Sequence, residues 1–353
     1  MRFIAFHLMQ AHERHTDPEV YRNEIELMVL AEDLGFDAVW MAEHHFLHYG
    51  IDPDPLLLAT HVAARTKRIR IGTAANILTL VHPLRIAEQG AMLDVLSNGR
   101  VDIGFAKGYG PREFAGYGID QRKADERFAE AMEVIIRAWT QPEFSFEGKH
   151  FRIPLLSLRP RPVTKPHPRT FIATTGSAAT LGLAARFSIP FYVAYRGRAH
   201  FQTTKENFTR IAREQGRSDA EIQRVLSQVA IMQTSYLAPT SQESYDEARA
   251  GVNWMSDAVD AVNIPDNLDQ WPKDLQDVVR SYHRNQERGY RDYDKYWKGF
   301  IYGDTARAIE RVGRLKEAGI ENVLIGFSFG GLPFDKVRRS MELFARDVMP
   351  KFR

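Results

Sequence analysis

The chain has 353 residues, 44% hydrophobic and 26% charged, enough apolar material for a large buried core and no composition for a disordered chain. Lys+Arg 47 against Asp+Glu 45 leaves a net charge of +2 with no basic stripe, which gives no case for a nucleic-acid or membrane-surface partner. With no cysteine, the chain has no disulfide, thiolate metal site or cysteine nucleophile.

The N-terminal apolar run is broken at His7 and is too short for a signal peptide or a bilayer span, so a cytoplasmic location is expected. Phe3 to Leu8 reads as a buried strand, and Glu19 to Leu34 follows with apolar residues near helical spacing. Gly35 ends that helix, and Phe36 to Met41 is the next strand. The alternation continues through a helix at Pro53–Arg65, a strand at Arg68–Ile77, a helix at Pro83–Leu96, the stop Ser97-Asn98-Gly99 and a strand at Val101–Lys107.

Ala124 to Trp139 is helical, and the proline-rich residues 140–169 read as a loop or short hairpin insertion. Thr170–Thr174 is a fifth strand leading into an alanine-rich helix. Pro190–Ala194 is a sixth, followed by a helix at Thr203–Gln215, and Gln228–Leu237 is a seventh. Between the seventh strand and seventh helix, residues 239–303 lose the apolar period and accumulate aromatics. Thr305–Ala318 resumes a helix and Asn322–Phe327 is the last strand. Eight βα units of this kind predict an α/β fold, a single (β/α)₈ TIM-barrel domain over residues 1–353. No glycine-rich Rossmann turn follows the first strand, and the glycines at Gly104, Gly108 and Gly110 fit neither GxGxxG nor a P-loop.

In such a barrel the working groups lie at the C-terminal ends of strands. Those positions hold His7, Glu43-His44-His45, Asn76, Lys107, Tyr109, the Thr174 to Ser177 turn and Tyr195. Imidazole and carboxylate side by side invite a metal reading of Glu43-His44-His45. Neighbouring residues on an extended segment point apart, however, and no HExxH spacing accompanies them, so no metal is expected. His44 is taken as a general base and His45 as a structural imidazole. Gly176, Ser177 and Thr180 open a helix directly after a strand, either as an ordinary N-cap or as an anion site, and Lys107 at a neighbouring strand end favours a phosphate.

At this point the sequence resembles the bacterial luciferase-like flavin monooxygenases. The resemblance is carried by Gly35 to Trp40 running into Glu43-His44-His45-Phe46, by Ile71 to Ala75, by His82-Pro83, and by Leu93-Asp94 to Ser97-Asn98-Gly99-Arg100 with Gly104 beyond. It implies reduced FMN bound at the barrel mouth, reaction with O₂ to a flavin C4a-peroxide, and oxygenation of a small organic substrate. It also implies a separate NAD(P)H:flavin reductase and a homodimer. By the same resemblance His44 acts beside the flavin, Ala74-Ala75 matches a non-proline cis peptide under the isoalloxazine, and the phosphate is held at Lys107, Ser177 and Thr180. Residues 239–303 then correspond to a lid, and His7, Glu43, Asn76 and Tyr195 are expected around the substrate pocket. Lys107 stands where luciferase has arginine, and Ala106 and Gly176 stand at a cysteine and a glutamate of that enzyme. An F420-dependent oxidoreductase, which transfers hydride, and a non-catalytic flavin-binding barrel subunit are the alternatives on the same fold. The Glu43-His44-His45-Phe46 run favours the monooxygenase over the first of these, and retention of His44, Lys107, Ser177 and Thr180 favours it over the second.

Overall fold

A computed structural model of the chain describes residues 1–194, 196–265, 267–283 and 292–353. β1 (Arg2–His7) leads to α1 (Asp17–Asp33), β2 (Ala38–Met41) to α2 (Pro55–Arg65), and β3 (Arg70–Thr73) through the short β4 (Asn76–Ile77) to α3 (Pro83–Leu96). β5 (Val101–Ala106) is followed by α4 (Pro111–Gly116) and α5 (Ala124–Thr140). An antiparallel hairpin of β6 (Phe144–Glu147) and β7 (Arg152–Leu156) then precedes β8 (Arg169–Ala173) and α6 (Ala178–Phe187). β9 (Phe191–Ala194) leads to α7 (Arg198–Glu214) and α8 (Asp219–Leu226). β10 (Ala230–Leu237) leads to α9 (Ser241–Asn263), α10 (Lys273–His283), α11 (Tyr293–Gly299) and the short β11 (Ile301–Gly303). The chain finishes with α12 (Thr305–Glu317), β12 (Asn322–Gly326) and α13 (Phe334–Leu343). Among the described residues no helix is long and apolar enough to cross a membrane.

The parallel strands close in the order β1, β2, β3, β5, β8, β9, β10, β12, and β12 returns to β1 with Arg2 opposite Asn322. Alternate residues point inward, so Ile4, Phe6, Ala38, Trp40, Phe171, Tyr192, Ala230 and Leu324 fill the barrel. Their neighbours Phe3, Ala5, Val39, Met41, Ile71 and Ile103 belong to the larger core under the helices. At the opposite end from the site, Arg100 donates to carbonyls of Ala63, Thr66, Ile69 and Ser97, and Glu32 accepts from the backbone of Lys67, Arg68 and Ile69. These bonds serve backbone groups at helix ends and strand starts. The hairpin excursion is tied down where the backbone N–H and hydroxyl of Thr164 each donate at 2.8 Å to the buried Asp94 of α3.

Two expectations are corrected. The stretch Arg68–Ile77 is not one strand: pairing stops at Thr73 and resumes at Asn76, with the Ala74–Ala75 peptide bond in the cis form between them. The lost apolar period over residues 239–303 does not mean loss of regular structure among the described residues, since α9 alone runs for 23 residues. Its buried face is Ser244, Ala248, Gly251, Val252, Ser256 and Val262, which has helical spacing but is made mostly of small residues, so a search for large apolar side chains passes over it. Those small residues let α9 approach closely, and a Cβ on Gly251 would lie 3.1 Å from the Phe329 carbonyl. The capping box of Thr240 and Glu243 starts the helix.

The break in β3 depends on β5. A Cβ on Gly104 would lie 2.1 Å from the carbonyl oxygen of Thr73, a backbone atom that has nowhere to move. Gly104→Ala is therefore expected to destabilise the protein by about 3 kcal/mol or more, as over-packing against backbone does, measured as a lowered midpoint of urea unfolding. An unchanged midpoint would show that the two segments do not meet this closely.

Candidate active site

The C-terminal ends of β2, β3–β4, β5 and β8 are consecutive in the barrel, so the segments Ala42–His45, Ala74–Asn76, Lys107–Gly110 and Thr174–Ser177 rise side by side. The break after β3 is clasped by side chains. The Thr73 hydroxyl donates to the Gly104 carbonyl at 3.1 Å and accepts from the Gly104 N–H at 2.9 Å, while the Asn76 amide donates to the Thr73 hydroxyl at 2.7 Å. Ala74 and Ala75 join Leu8, Ala42 and the partly buried Tyr49, Ala106, Ala173 and Met232 in the apolar layer above Trp40.

His44 is buried, and its Nδ1 lies 2.9 Å from Glu113 Oε1. That oxygen also accepts the His45 backbone N–H at 3.2 Å, so it faces donors on both sides. With the carboxylate as acceptor the Nδ1 of His44 carries the proton, and Nε2 is the ring's basic nitrogen. The edges of Tyr49 and Tyr109 flank the ring at 4.8 and 6.0 Å between centroids. His45 is a fixture of the wall: its Nε2 is 2.8 Å from Glu43 Oε1, and its Nδ1 is 3.2 Å from the Tyr117 hydroxyl.

Of the expected pocket residues, His7 is placed elsewhere, and Glu43 and Asn76 are held by their neighbours. His7 bonds Glu24 of α1 at 2.7 Å, because its side chain continues the outward-facing set of Phe3 and Ala5. Glu43 is fully engaged, with one oxygen on His45 and the other accepting the Ile77 N–H at 2.8 Å; burial pushes its pKa up, against those two bonds. Asn76 spends its amide N–H groups on the clasp, and its Oδ1 is buried without a protein partner. Tyr195 lies outside the described residues.

At the other side of the mouth, Ser177 caps α6 by accepting the Thr180 N–H, and the Ser177 hydroxyl donates to that of Thr180 at 3.0 Å. Ser177, Ala178 and Ala179 are exposed, and Gly176 sits at φ +95°, a conformation that favours glycine. Lys107 pairs with Asp125 at 2.8 Å. Among the described residues no group of three or more metal-ligating side chains comes together.

The sequence reading missed Glu113. It stands in a six-residue helix, too short for a periodic signal, and only the fold brings it to His44 across 69 positions. The local sign is Pro111 at the helix start with an acid two residues later.

A closed (β/α)₈ barrel with a buried histidine–glutamate pair, a break in one strand and a helix N-terminus gathered at its C-terminal mouth has the arrangement of a TIM-barrel enzyme. The family model of luciferase-like monooxygenases matches residues 1–322, and the chain belongs to that family. It is 26% identical to the alkanal monooxygenase alpha chain of Photorhabdus laumondii over 99% of this chain and 97% of that one. It is 24% identical to the oxygenase component of the flavin-dependent trigonelline monooxygenase of Acinetobacter baylyi over 100% and 96%. A match of 36% to an uncharacterised Sinorhizobium fredii protein spans 50% of this chain and 51% of that protein. The monooxygenase RslO1 of Streptomyces bottropensis superposes with a TM-score of 0.84 at 25% identity, covering all of both chains. Two structures share the fold. One is the oxygenating constituent of 3,6-diketocamphane monooxygenase from Pseudomonas putida with FMN (TM-score 0.79, 19% identity, 100% and 99% covered). The other is an F420-dependent secondary alcohol dehydrogenase (0.75, 18%, 100% and 99%).

Behind His44, whose N–H donates to the Asp52 carbonyl at 3.0 Å, burial pushes the Asp52 carboxyl up to about 8. The folded protein then keeps a proton that the unfolded chain releases near 3.8, so stability falls as pH rises between these values and levels off above. Asp52→Asn is expected to match wild type near the lower value and to gain on it by about 1.4 kcal/mol per pH unit up to the upper one, read from urea unfolding across pH. Parallel pH profiles would mean that Asp52 is ionised in the fold.

Proposed function

We propose that this chain is the oxygenase component of a two-component monooxygenase, receiving reduced FMN from a separate NAD(P)H:flavin reductase and using O₂ to oxygenate a small organic substrate. The observation that carries this reading is the meeting of the His44–Glu113 pair, the Ala74–Ala75 floor and the exposed first turn of α6 on four consecutive strands. The relatives described as an oxygenase component and an oxygenating constituent support it.

The donor set suits FMN. The exposed first turn of α6, with the Ser177 and Thr180 hydroxyls, offers N–H groups and a positive dipole end to the phosphate, and Lys107 adds a charge. Gly176 leaves the approach to that turn open, while Ala74, Ala75 and Tyr109 border the ring. The buried Glu113 Oε2 and Asn76 Oδ1, both without protein partners, are acceptors at the same mouth. When bound, reduced flavin supplies the electrons for O₂ activation.

What the chain contributes is proton control and a dry wall. Glu113 fixes the His44 tautomer so that Nε2 accepts a proton at the mouth, and Tyr49, Ala106 and Met232 give the acceptor an apolar surface that excludes water. A homodimer through the α2–α3 face would cover Leu57, Met92, Val95 and Leu96, each of which is exposed.

His44→Ala is expected to hold reduced FMN within about twofold of wild type and to lose oxygenation about 100-fold or more, in an anaerobic titration followed by a pulse of O₂. Equal loss of binding and turnover would make the residue structural, and tight binding of reduced F420 with no response to O₂ would replace this reading with hydride transfer. On the α2–α3 face, Leu96→Glu is expected to convert a dimer to a monomer in sedimentation velocity. A wild-type monomer would remove the dimer from the proposal.

A further inference from the structure

Lys107 leaves the end of β5, and β5 pairs with β8 so that Phe105 stands opposite Ile172. Two residues further along each strand come Lys107 and Thr174, which places the lysine beside the turn that opens α6. Its ammonium group lies 2.8 Å from the carboxylate of Asp125, on the first turn of α5. The next acid, Glu126, is taken by Lys149 and His150, so it is Asp125 that answers Lys107. The first turn of α6 itself carries no acid.

One lysine and one carboxylate sum to zero, so this pair adds no net positive charge to that of the α6 terminus. A phosphate monoester brings a charge of roughly −1.5 to −2 at neutral pH. To bond Lys107 it must approach a carboxylate already in contact with the same ammonium, and like charges at that range repel. Riboflavin, which lacks the phosphate, escapes the conflict.

We infer that Asp125 is a specificity residue of the flavin-phosphate site: it competes with the phosphate for Lys107 and keeps FMN weakly held and exchangeable. That is the behaviour required of a flavin that is delivered reduced and leaves oxidised. The inference rests on the placement of the FMN phosphate proposed above.

The test measures the Kd of oxidised FMN and of riboflavin by flavin fluorescence quenching, for wild type, Asp125→Asn and Lys107→Met. Asp125 is a half-exposed side chain, and the near-isosteric change is expected to leave the thermal melt unmoved. Asp125→Asn should tighten FMN about fivefold at low ionic strength and leave riboflavin unchanged. The gain should vanish in about 1 M salt, where charges are screened over about 3 Å. Lys107→Met should weaken FMN alone, and in that background the Asp125 change should give no tightening. FMN binding that is unchanged or weakened in Asp125→Asn would overturn the inference, since the carboxylate would then be inert or an anchor for the lysine. FMN bound no better than riboflavin in both wild type and Asp125→Asn would instead remove the phosphate placement itself.

Discussion

The site depends on how closely β3 and β5 approach one another. Gly104 has no side chain, so Thr73 can lay its carbonyl over the glycine and exchange two hydrogen bonds with it through the hydroxyl. The chain leaves the barrel at this contact, passes through Ala74–Ala75 and re-enters the sheet at Asn76, whose amide holds the underside of the excursion. The Glu43 N–H reaches the Ala75 carbonyl and the Glu43 carboxylate reaches the Ile77 N–H, so the loop that carries His44 is hung on the same break. One missing methyl group on β5 therefore positions two of the segments that form the mouth.

Around this break the protein buries three carboxyl groups beside two imidazoles, Glu43 and Asp52 on the same stretch of chain as the histidines and Glu113 brought in from 69 positions beyond His44. Burying an isolated charge costs several kcal/mol, so each group has to find donors or keep its proton. Glu43 and Glu113 find donors among His45, Ile77 and His44. Asp52, with a single long contact to the Asp54 N–H at 3.3 Å, keeps its proton. The same inventory separates the two neighbouring histidines. His45 has both ring nitrogens bonded, whereas His44 is held through Nδ1 by a fully buried acid.

The far side of the mouth is built differently. α9 is cemented over β10, β11 and the Phe329–Leu332 loop by small residues, and its Glu247 accepts from Tyr236 and Arg339 and pairs with Lys336. Among the described residues, the candidate groups His44, Glu113, Lys107 and Ser177 lie on the β2–β8 half. α9, the first part of the 239–303 segment, packs on the barrel.

The sequence by itself determined the barrel. Buried strands and amphipathic helices alternate with periods that local sterics fix, and Gly35 and Gly99, at φ +80° and +77°, stop helices where only a left-handed residue continues the chain. It also pointed to His44 and the α6 terminus, because strand ends are where a barrel places polar groups, while the Ala74–Ala75 pair came only from the family resemblance. Only the tertiary structure decided which of those groups face the mouth. His7 turns outward because side chains alternate along β1, and Glu43 is consumed by its neighbours. Glu113 and Asp125 acquire their roles from residues 69 and 18 positions away. Periodicity is a local property that short windows reveal. A hydrogen bond between a helix of six residues and a distant strand end exists only once the sheet has closed and brought β2 beside β3 and β5.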